Sequence, residues 1–282
     1  MAELGDHNQP LLKRLQMEAP GTYHHSLMVS TLCEAAAEAV GANPILARVG
    51  AFYHDIGKLK RPLFFVENQS YFGIENPHNK LNPRLSKMVI TAHPKDGLEI
   101  ARKNGLPSVI CDFILQHHGE GIAKYFYNQA VQEEGAENVK EEQFRYTGPK
   151  PNSKETAILM IADAVESAVR AMKGATADEI ENIIDKLIVE RLNDGQLADS
   201  PLTLNDLKII SITFNRILRG MQHNRIKYQE DIAEEFGKNK IEMPNKILDE
   251  DFEKKIKELE ESKLPKQQDS EDWHNKENKD LW

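Results

Sequence analysis

Histidine and aspartate side chains recur beside apolar runs of helical spacing between positions 24 and 163. The set comprises His24, His25, His54, Asp55, His93, His117, His118 and Asp163. Neutral imidazole and carboxylate suit borderline divalent ions such as iron, manganese and zinc. One metal ion needs far fewer donors, so the set favours a hydrolytic centre that holds two ions.

The stretch His54-Asp55-Ile56-Gly57-Lys58 is the centre of this pattern. Two ions about 3.5–4 Å apart need a bridging group, and a carboxylate such as that of Asp55 can serve both. The ammonium group of Lys58 follows Gly57 directly, a position that favours neutralisation of a phosphate group beside the cations. An ordinary surface lysine is the alternative interpretation. We take Asp55 and Lys58 as candidate catalytic residues.

Each histidine also has a simpler interpretation. A single histidine on an apolar face is more often a packed, hydrogen-bonded core residue, but each of these ends or interrupts a predicted helix. His24 points about 100° away from His25 on a helix, so solvation or support of a ligand fits His24 better than metal binding. The histidines that lack this context, and are interpreted as surface residues, are His7, His78, His223 and His274. The set contains no cysteine pattern of a structural zinc site.

Aromatic residues follow the histidine pair closely, at positions 125–127. Tyr125 and Tyr127 are candidates for stacking on a nucleobase, since every base presents a π-face to such a ring. Core packing of the same side chains is the competing interpretation.

The segments that carry these residues have the apolar periodicity and end signals of helices. Pro20-Gly21 is typical of a turn, and positions 60–82 are typical of an irregular flap. The predicted helices cover positions 22–40, 44–56, 83–92, 95–103, 106–118, 153–172, 177–192 and 204–236. The sequence predicts no strand and no internal repeat. The predicted fold class is therefore all-α, with the ligands at helix ends, where they can converge.

Charge and composition limit the possible domain organisation and location of the chain. The net charge is −9 over 282 residues, and positions 229–282, with 17 acidic and 10 basic residues, carry −7 of it. We predict a disordered or linking segment at 1–9, a main helical domain at 10–237 and an acidic helical or disordered tail at 238–282. The sequence contains no run of about 18 apolar residues, the length that a bilayer span needs, and no secretory signal is visible. Cys33 and Cys111 lie in apolar patterns, which favours free thiols in the cytoplasm.

Taken in order, the motifs resemble those of the HD-domain metal-dependent phosphohydrolase superfamily. The chain is most similar to the cytoplasmic HD domain of bacterial seven-transmembrane HD receptors, which include cyclic di-AMP phosphodiesterases. The matching stretches are Gly-Thr-Tyr-His-His-Ser (21–26), Tyr-His-Asp-Ile-Gly-Lys (53–58), Thr-Ala-His-Pro (91–94), Leu-Gln-His-His-Gly (115–119), Arg-Tyr-Thr-Gly-Pro-Lys-Pro (145–151) and Ile-Ala-Asp-Ala-Val-Glu (161–166). The resemblance implies an all-α helical bundle around a two-metal centre, formed by the domain at 10–237.

The resemblance also implies roles for individual residues. His25, His54, Asp55 and Asp163 would hold one metal ion, and Asp55 would bridge to a second. The ligands implied for the second ion are His93, His117 and His118. Iron or manganese is favoured over zinc. The expected substrate contacts are Lys58, Tyr125, Tyr127 and Arg145.

The implied reaction is hydrolysis of a phosphodiester bond in a cyclic dinucleotide. For cyclic di-AMP the expected product is linear 5′-pApA. Related cyclic di-GMP hydrolases carry a Gly-Tyr-Pro signature soon after the histidine pair, where this chain has Gly-Glu-Gly-Ile-Ala-Lys-Tyr-Phe-Tyr (119–127). The residues alone leave open cyclic di-GMP, another nucleotide substrate, or a nucleotide-sensing module without turnover.

Partners and location follow from the same resemblance. It implies the cytosolic part of a protein of the bacterial plasma membrane, with no membrane contact within this chain. A nucleic-acid polymer is not expected as a partner. The oligomeric state stays open, a homodimer included.

Overall fold

The computed structural model describes residues 1, 3–172 and 174–238, with side chains up to position 221. The chain divides into two compact units, residues 1–227 and 228–282. The first unit contains every candidate ligand. Positions 239–282 of the predicted acidic tail lie outside the described residues, so the predicted domain limits stay predictions.

The chain has the all-α fold that the sequence predicts. Its helices are α1 (Pro10–Glu18), α2 (Pro20–Ala39), α3 (Pro44–Tyr53), α4 (Val66–Phe72), α5 (Pro83–Thr91), α6 (His93–Lys103), α7 (Ser108–Gln116), α8 (Lys124–Glu134), α9 (Lys154–Ala171), α10 (Ala177–Asn193) and α11 (Leu204–Lys238). Short 3-10 segments join several of them. Within the described residues, β-type pairing is confined to an isolated antiparallel bridge between Ile122 and Arg145.

Helix starts follow capping signals in the sequence. Ser153 precedes α9, and its hydroxyl accepts a hydrogen bond from the backbone N–H of Thr156 at 3.1 Å. Asn43 precedes α3, and its side chain accepts from the N–H of Leu46 at 3.0 Å. Such caps satisfy N–H groups that the first turn of a helix leaves without a partner. They fix where the two helices that carry Asp163 and His54 begin.

Two hydrophobic clusters hold the helices that carry the candidate ligands. One cluster joins α2, α3, α9, α10 and α11 around fully buried residues such as Leu32, Ile161 and Phe214. The other joins α1, α3, α6 and α7 around Leu15 and Ile114. Full burial of one such side chain contributes about 1.5–3 kcal/mol relative to exposure. The ligands therefore project from helices that packing holds in place.

The predicted turn at Pro20-Gly21 is wrong, because α2 begins at Pro20. Proline is tolerated at the first helical position, where its missing N–H would have no partner in any case. Gly21 instead permits a close approach between elements, since a Cβ atom at this position would lie 1.9 Å from the carbonyl oxygen of Glu67. The pair of residues starts a helix and makes room beside it.

The predicted irregular flap at 60–82 contains a short helix, α4, which docks against the start of α2. Asn68 of α4 is fully buried. Its side-chain oxygen accepts from the backbone N–H of Thr22 at 3.0 Å, and its amide donates to the Thr22 hydroxyl at 3.0 Å. These polar contacts hold the segment to the fold, and apolar periodicity could not reveal them.

The N-terminal segment contacts α2 and α3. The hydroxyl of Tyr53 donates to the carbonyl of Leu4 at 2.8 Å. The ring of His7 lies edge-on to Phe52, with ring centroids 5.0 Å apart. The segment at 3–9 is thus tied to the core of the first unit.

Two further observations concern the setting of the chain. Among the described helices, none combines the length and the apolar character needed to cross a bilayer. Cys33 and Cys111 are buried free thiols.

Candidate metal centre

Three histidines at helix ends share one arrangement. His54 and His117 directly follow α3 and α7, and His93 comes one residue after the last turn of α5. In each, Nδ1 donates to the backbone carbonyl three residues earlier. The accepting carbonyls belong to Ala51, Ile90 and Ile114, at 2.7, 2.7 and 2.8 Å. This bond fixes the tautomer and leaves the Nε2 lone pair free to bind a metal.

The same helix ends favour positive charge. A helix carries a partial negative charge at its C-terminus, where the last carbonyl groups lack intrahelical partners. The C-terminal ends of α3, α5 and α7 all adjoin the histidine cluster. Their combined field stabilises cations at this point of the fold.

A first group of donors comes from α2 and α3. The ligand atoms of His25, His54 and Asp55 all lie within 4.8 Å of one another. His25 Nδ1 is hydrogen-bonded to Glu166 Oε2 at 2.5 Å, so its Nε2 faces the group. Asp163 Oδ1 lies 3.0 Å from that Nε2 atom. The structure thus brings together all four residues expected around the first ion.

A second group consists of His93, His117 and His118, whose ligand atoms lie equally close together. The Nε2 atoms of His93 and His117 are 3.0 Å apart. Both rings carry their proton on Nδ1, so two lone pairs face each other. A cation between them would turn this repulsion into coordination.

The two carboxylates connect the groups. Asp55 Oδ2 lies 3.1 Å from His54 Nε2, and Asp55 Oδ1 lies 3.3 Å from His93 Nε2. Asp163 behaves similarly, with Oδ1 beside His25 and Oδ2 3.7 Å from His118 Nδ1. Each carboxylate therefore offers one oxygen to each group. This is the geometry in which one side chain can serve two ions.

The donors fit divalent metal ions. Both oxygens of Asp55 and the Nε2 atom of His54 are buried and make no hydrogen bond, although the Lys58 ammonium group pairs with Asp55 Oδ2 at 2.7 Å. Buried polar groups without partners are costly and therefore rare. Coordination of a cation satisfies all three atoms at once. The nitrogen and oxygen donors match borderline transition metals.

Protonation differs between the two groups. Burial lowers the pKa of His117 to about 3, so its imidazole is a neutral donor at physiological pH. For His25 burial opposes the charge, but hydrogen bonds to Asp163 and Glu166 dominate and raise the pKa to about 10. Because a metal ligand must be deprotonated, metal entry at His25 would displace a proton.

Lys58 supplies a fixed positive charge beside these donors. Its Nζ atom lies 2.7 Å from Asp55 Oδ2 and donates to Glu67 Oε1 at 2.7 Å. Burial disfavours the ammonium form, yet the charges of Asp55 and Glu67 raise the pKa of Lys58 well above its usual value. Glu67 also accepts from the hydroxyl of Thr22 at 3.1 Å. Lys58 is therefore a permanent cation rather than a proton donor.

Comparison with known proteins identifies the family. The HD domain description matches residues 22–168, more than half of the chain, and the match contains every candidate ligand.

This chain belongs to the HD domain family.

Similar proteins include curated phosphodiesterases. This HD domain is 48% identical over 230 residues to the cyclic-di-AMP phosphodiesterase PgpH of Bacillus subtilis (strain 168). It is 50% identical over 231 residues to the cyclic-di-AMP phosphodiesterase PgpH of Listeria monocytogenes serotype 1/2a (strain 10403S). Each comparison covers 82% of this chain and 32% of the relative, so the chain spans about a third of the length of these relatives.

A solved structure is also similar. The crystal structure of the L. monocytogenes phosphodiesterase PgpH HD domain in complex with cyclic-di-AMP matches with a TM-score of 0.73 and 50% identity. The match covers 77% of this chain and 99% of that chain.

Three of the residues expected to contact substrate have other partners in this HD domain. Tyr125 is 72% exposed and lies edge-on to Phe126. Tyr127 lies edge-on to Phe144, with centroids 5.8 Å apart. All four N–H groups on the terminal nitrogens of Arg145 have protein acceptors, which are Asp194, Glu141 and the carbonyl of Glu120. Substrate contact by these three residues stays a prediction.

The HD domain instead presents Tyr146 at the ligand cluster, a residue that sequence reasoning missed. Its ring lies 4.2 Å from the His118 ring, with planes 31° apart, and 6.1 Å from the His93 ring. Tyr146 stands within the matching stretch at 145–151, so position in the motif was the available signal. Glu166 was also missed, although it follows Asp163 by three positions and so shares its helix face.

Proposed function

We propose that this HD domain is a metal-dependent phosphodiesterase that hydrolyses cyclic di-AMP to linear 5′-pApA. The observation that carries the proposal is the single carboxylate of Asp55, which faces a different group of histidines with each of its oxygens. The choice of substrate is supported by similarity to PgpH proteins named for this activity and to an HD domain solved with cyclic-di-AMP.

The proposal assigns each metal ion a set of ligands. The first ion takes His25, His54, Asp55 and Asp163. The second ion takes His93, His117 and His118 and shares Asp55. Iron or manganese fits these nitrogen and oxygen donors, which include no thiolate. When bound, two such cations supply an activated water nucleophile and neutralise charge that develops on the phosphate.

Residues of the chain itself prepare the site for an anionic substrate. Lys58 holds a fixed ammonium group next to Asp55, where it can neutralise a nonbridging phosphate oxygen in the transition state. Glu67 accepts a hydrogen bond from the same ammonium group at 2.7 Å and helps to keep it in place. Glu166 orients His25 through its Nδ1 atom. These groups need no rearrangement when the substrate arrives, and such preorganisation is a main source of catalysis.

Water is the only co-reactant that the proposed reaction needs. A water oxygen forms a new bond to phosphorus, and the bond from phosphorus to a ribose 3′ oxygen breaks. The leaving oxygen receives a proton that comes from water, and the new terminal phosphate stays on the 5′ side. Opening one of the two phosphodiester bonds in this way gives 5′-pApA.

The proposal includes a longer parent protein with this domain in the cytosol. The curated relatives extend well beyond the matched region. The seven-transmembrane receptors that the motifs resemble are anchored in the bacterial plasma membrane. Membrane attachment would then come from outside this chain.

Two adjacent histidines allow a matched test. His25 is buried in the first donor group, whereas His24 beside it is exposed. We expect His25→Ala to lower turnover of cyclic di-AMP at least about 100-fold and to lose metal, and His24→Ala to change neither. Product is measured by chromatography and metal content by elemental analysis after anaerobic purification.

Asp55→Ala should abolish turnover and reduce the occupancy of both ions. Full activity in Asp55→Ala would refute the mechanism. Faster cleavage of cyclic di-GMP than of cyclic di-AMP by the unaltered chain would refute the proposed substrate.

A further inference from the structure

His118 is anchored differently from the other four histidines of the centre. His25 is hydrogen-bonded to a carboxylate, and His54, His93 and His117 each donate to a backbone carbonyl. Among the described residues, neither ring nitrogen of His118 makes a hydrogen bond, and its nearest carboxylate oxygen is 3.7 Å away. Its side chain is 25% exposed. Hydrogen bonding therefore does not set the orientation of this ring.

Aromatic packing holds His118 instead. Its ring lies between His117, at a centroid distance of 4.1 Å, and Tyr146, at 4.2 Å. The ring of His93 meets it edge-on at 5.0 Å. His117 and His93 are themselves fixed by backbone hydrogen bonds. Among the described residues, Tyr146 is thus the one aromatic ring packed on His118 that comes from outside the proposed ligand set.

Backbone pairing sets the position of Tyr146. Its N–H donates to the carbonyl of Gly121 at 2.9 Å, and the N–H of Ala123 donates to the carbonyl of Phe144 at 2.9 Å. The segment at 144–146 therefore lies along the segment at 121–123, directly after the histidine pair. The two segments meet as the isolated bridge that interrupts an otherwise helical fold.

Arg145 fastens this bridge to the end of α10. Its guanidinium group donates to both carboxylate oxygens of Asp194, at 2.8 and 3.1 Å, and to the carbonyl of Glu120 at 2.9 Å. Gln196 accepts from the N–H of Glu120 at 2.8 Å and donates to Asp194 at 3.0 Å. Bidentate pairing of arginine with a carboxylate is strong and directional. Asp194 and Gln196 together hold both sides of the bridge.

The turn between His118 and the bridge is sterically restricted at Gly119. Gly119 has a φ of +51°, which favours glycine. A Cβ atom there would lie 2.5 Å from the Gln196 side-chain oxygen and 2.9 Å from the terminal carbon of Met160. The backbone conformation between His118 and the bridge is therefore narrowly restricted.

We propose that Tyr146 is the positioning residue for His118, and that the affinity of the second metal group depends on the Tyr146 ring. The inference deepens the proposed function and rests on the two-ion centre described there. The ring carries the role, since the Tyr146 hydroxyl makes no hydrogen bond within the described residues. Arg145 and Asp194 act through Tyr146 by holding its backbone.

The test compares variants of Tyr146 by titration with Mn²⁺. The unaltered chain should bind two ions with distinct affinities. Tyr146→Phe keeps the ring and should retain both. Tyr146→Leu should weaken the second ion by about 10–100-fold, the loss typical when the support of a ligand is removed, and leave the first unchanged. Tyr71→Leu makes the same change at an exposed ring on α4 and should affect neither ion.

Electron paramagnetic resonance adds a readout independent of turnover. At two equivalents of Mn²⁺ the unaltered chain should give the signal of a coupled pair, and Tyr146→Leu should give mainly that of isolated ions. If Tyr146→Leu bound both ions with the affinities of the unaltered chain, the inference would be overturned and the proposed function would stay intact. One ion in the unaltered chain would overturn the proposed function itself.

Circular dichroism shows whether Tyr146→Leu folds. If it does not fold, a second variant provides the test. Arg145→Gln keeps the ring of Tyr146 but releases the bridge from Asp194. It should also weaken the second ion selectively. Unchanged affinities in a folded Arg145→Gln protein would then refute the inference.

Discussion

Replacing Gly57 by alanine should weaken the second metal group of this HD domain through a collision of backbones. Gly57 packs against the first turn of α6, which carries His93. A Cβ atom at position 57 would lie 1.9 Å from the carbonyl oxygen of His93, 2.8 Å from its carbonyl carbon and 2.6 Å from the N atom of Gly97. All three are backbone atoms, so no side-chain rotation can relieve the contact.

The size of the effect follows from these distances. An ordinary van der Waals contact begins at 3.4 Å, so α6 and the turn after Asp55 must separate by about 1.5 Å. Metal coordination tolerates errors of about 0.2 Å in ligand distance. Overpacking of this kind costs about 1–3 kcal/mol of folding free energy. For a domain of this size each kcal/mol shifts Tm by about 2–4 °C, so the Tm of Gly57→Ala should fall by about 2–12 °C.

The assay is Mn²⁺ titration together with thermal unfolding. Gly220→Ala is the matched control, because Gly220 lies in α11 and a Cβ atom added there would meet nothing within 4 Å. That change should be neutral or slightly stabilising, since alanine favours a helix by about 0.5–1 kcal/mol over glycine. Two ions bound at unaltered affinity by Gly57→Ala, with an unchanged Tm, would refute the reasoning.

Further outcomes follow from the same geometry. Lys58→Met should lower kcat by about 10²–10³-fold through loss of a fixed charge, and an unchanged kcat would contradict that role. Removal of metal by a chelator should lower the Tm by about 5–10 °C, since a ligand at 100 times its Kd contributes about 2.7 kcal/mol of stability. An unchanged Tm on addition of chelator would contradict a metal centre. Asp194→Asn should lower the Tm by about 2–4 °C. Because hydrogen bonds from Arg145 hold the pKa of Asp194 below its ordinary 3.8, this loss should be equal at pH 5 and pH 8 and vanish only as pH falls through the lowered pKa. A difference that grew between pH 5 and pH 8 would contradict the lowered pKa.

The sequence predicted the helical class and a ligand set because both depend on local signals. A histidine that ends an apolar run, such as His54 or His117, stands at a helix terminus whatever the rest of the chain does. The prediction at Pro20-Gly21 failed for a related reason. Proline marks a turn and a helix start equally well, so the dipeptide alone does not decide between them.

The aromatic and carboxylate contacts of the centre depend on distant parts of the chain. Tyr125 follows the histidine pair closely but lies on α8, whereas Tyr146, 28 positions after His118, returns to the pair through a bridge. Nothing in the spacing predicts that return. Glu67 reaches Lys58 from a segment without apolar periodicity. Glu166 could have been found, because it lies one helical turn after Asp163.

The backbone bonds of His54, His93 and His117 have a consequence for exchange of the ions. Each bond uses a carbonyl in the last turn of a helix. The rings therefore gain their alignment from the secondary structure and keep it whether or not an ion is present. Removal of the metal ions should leave the histidine rings in place. Rebinding should therefore require diffusion of the ions and loss of their hydration water, but no refolding of the chain.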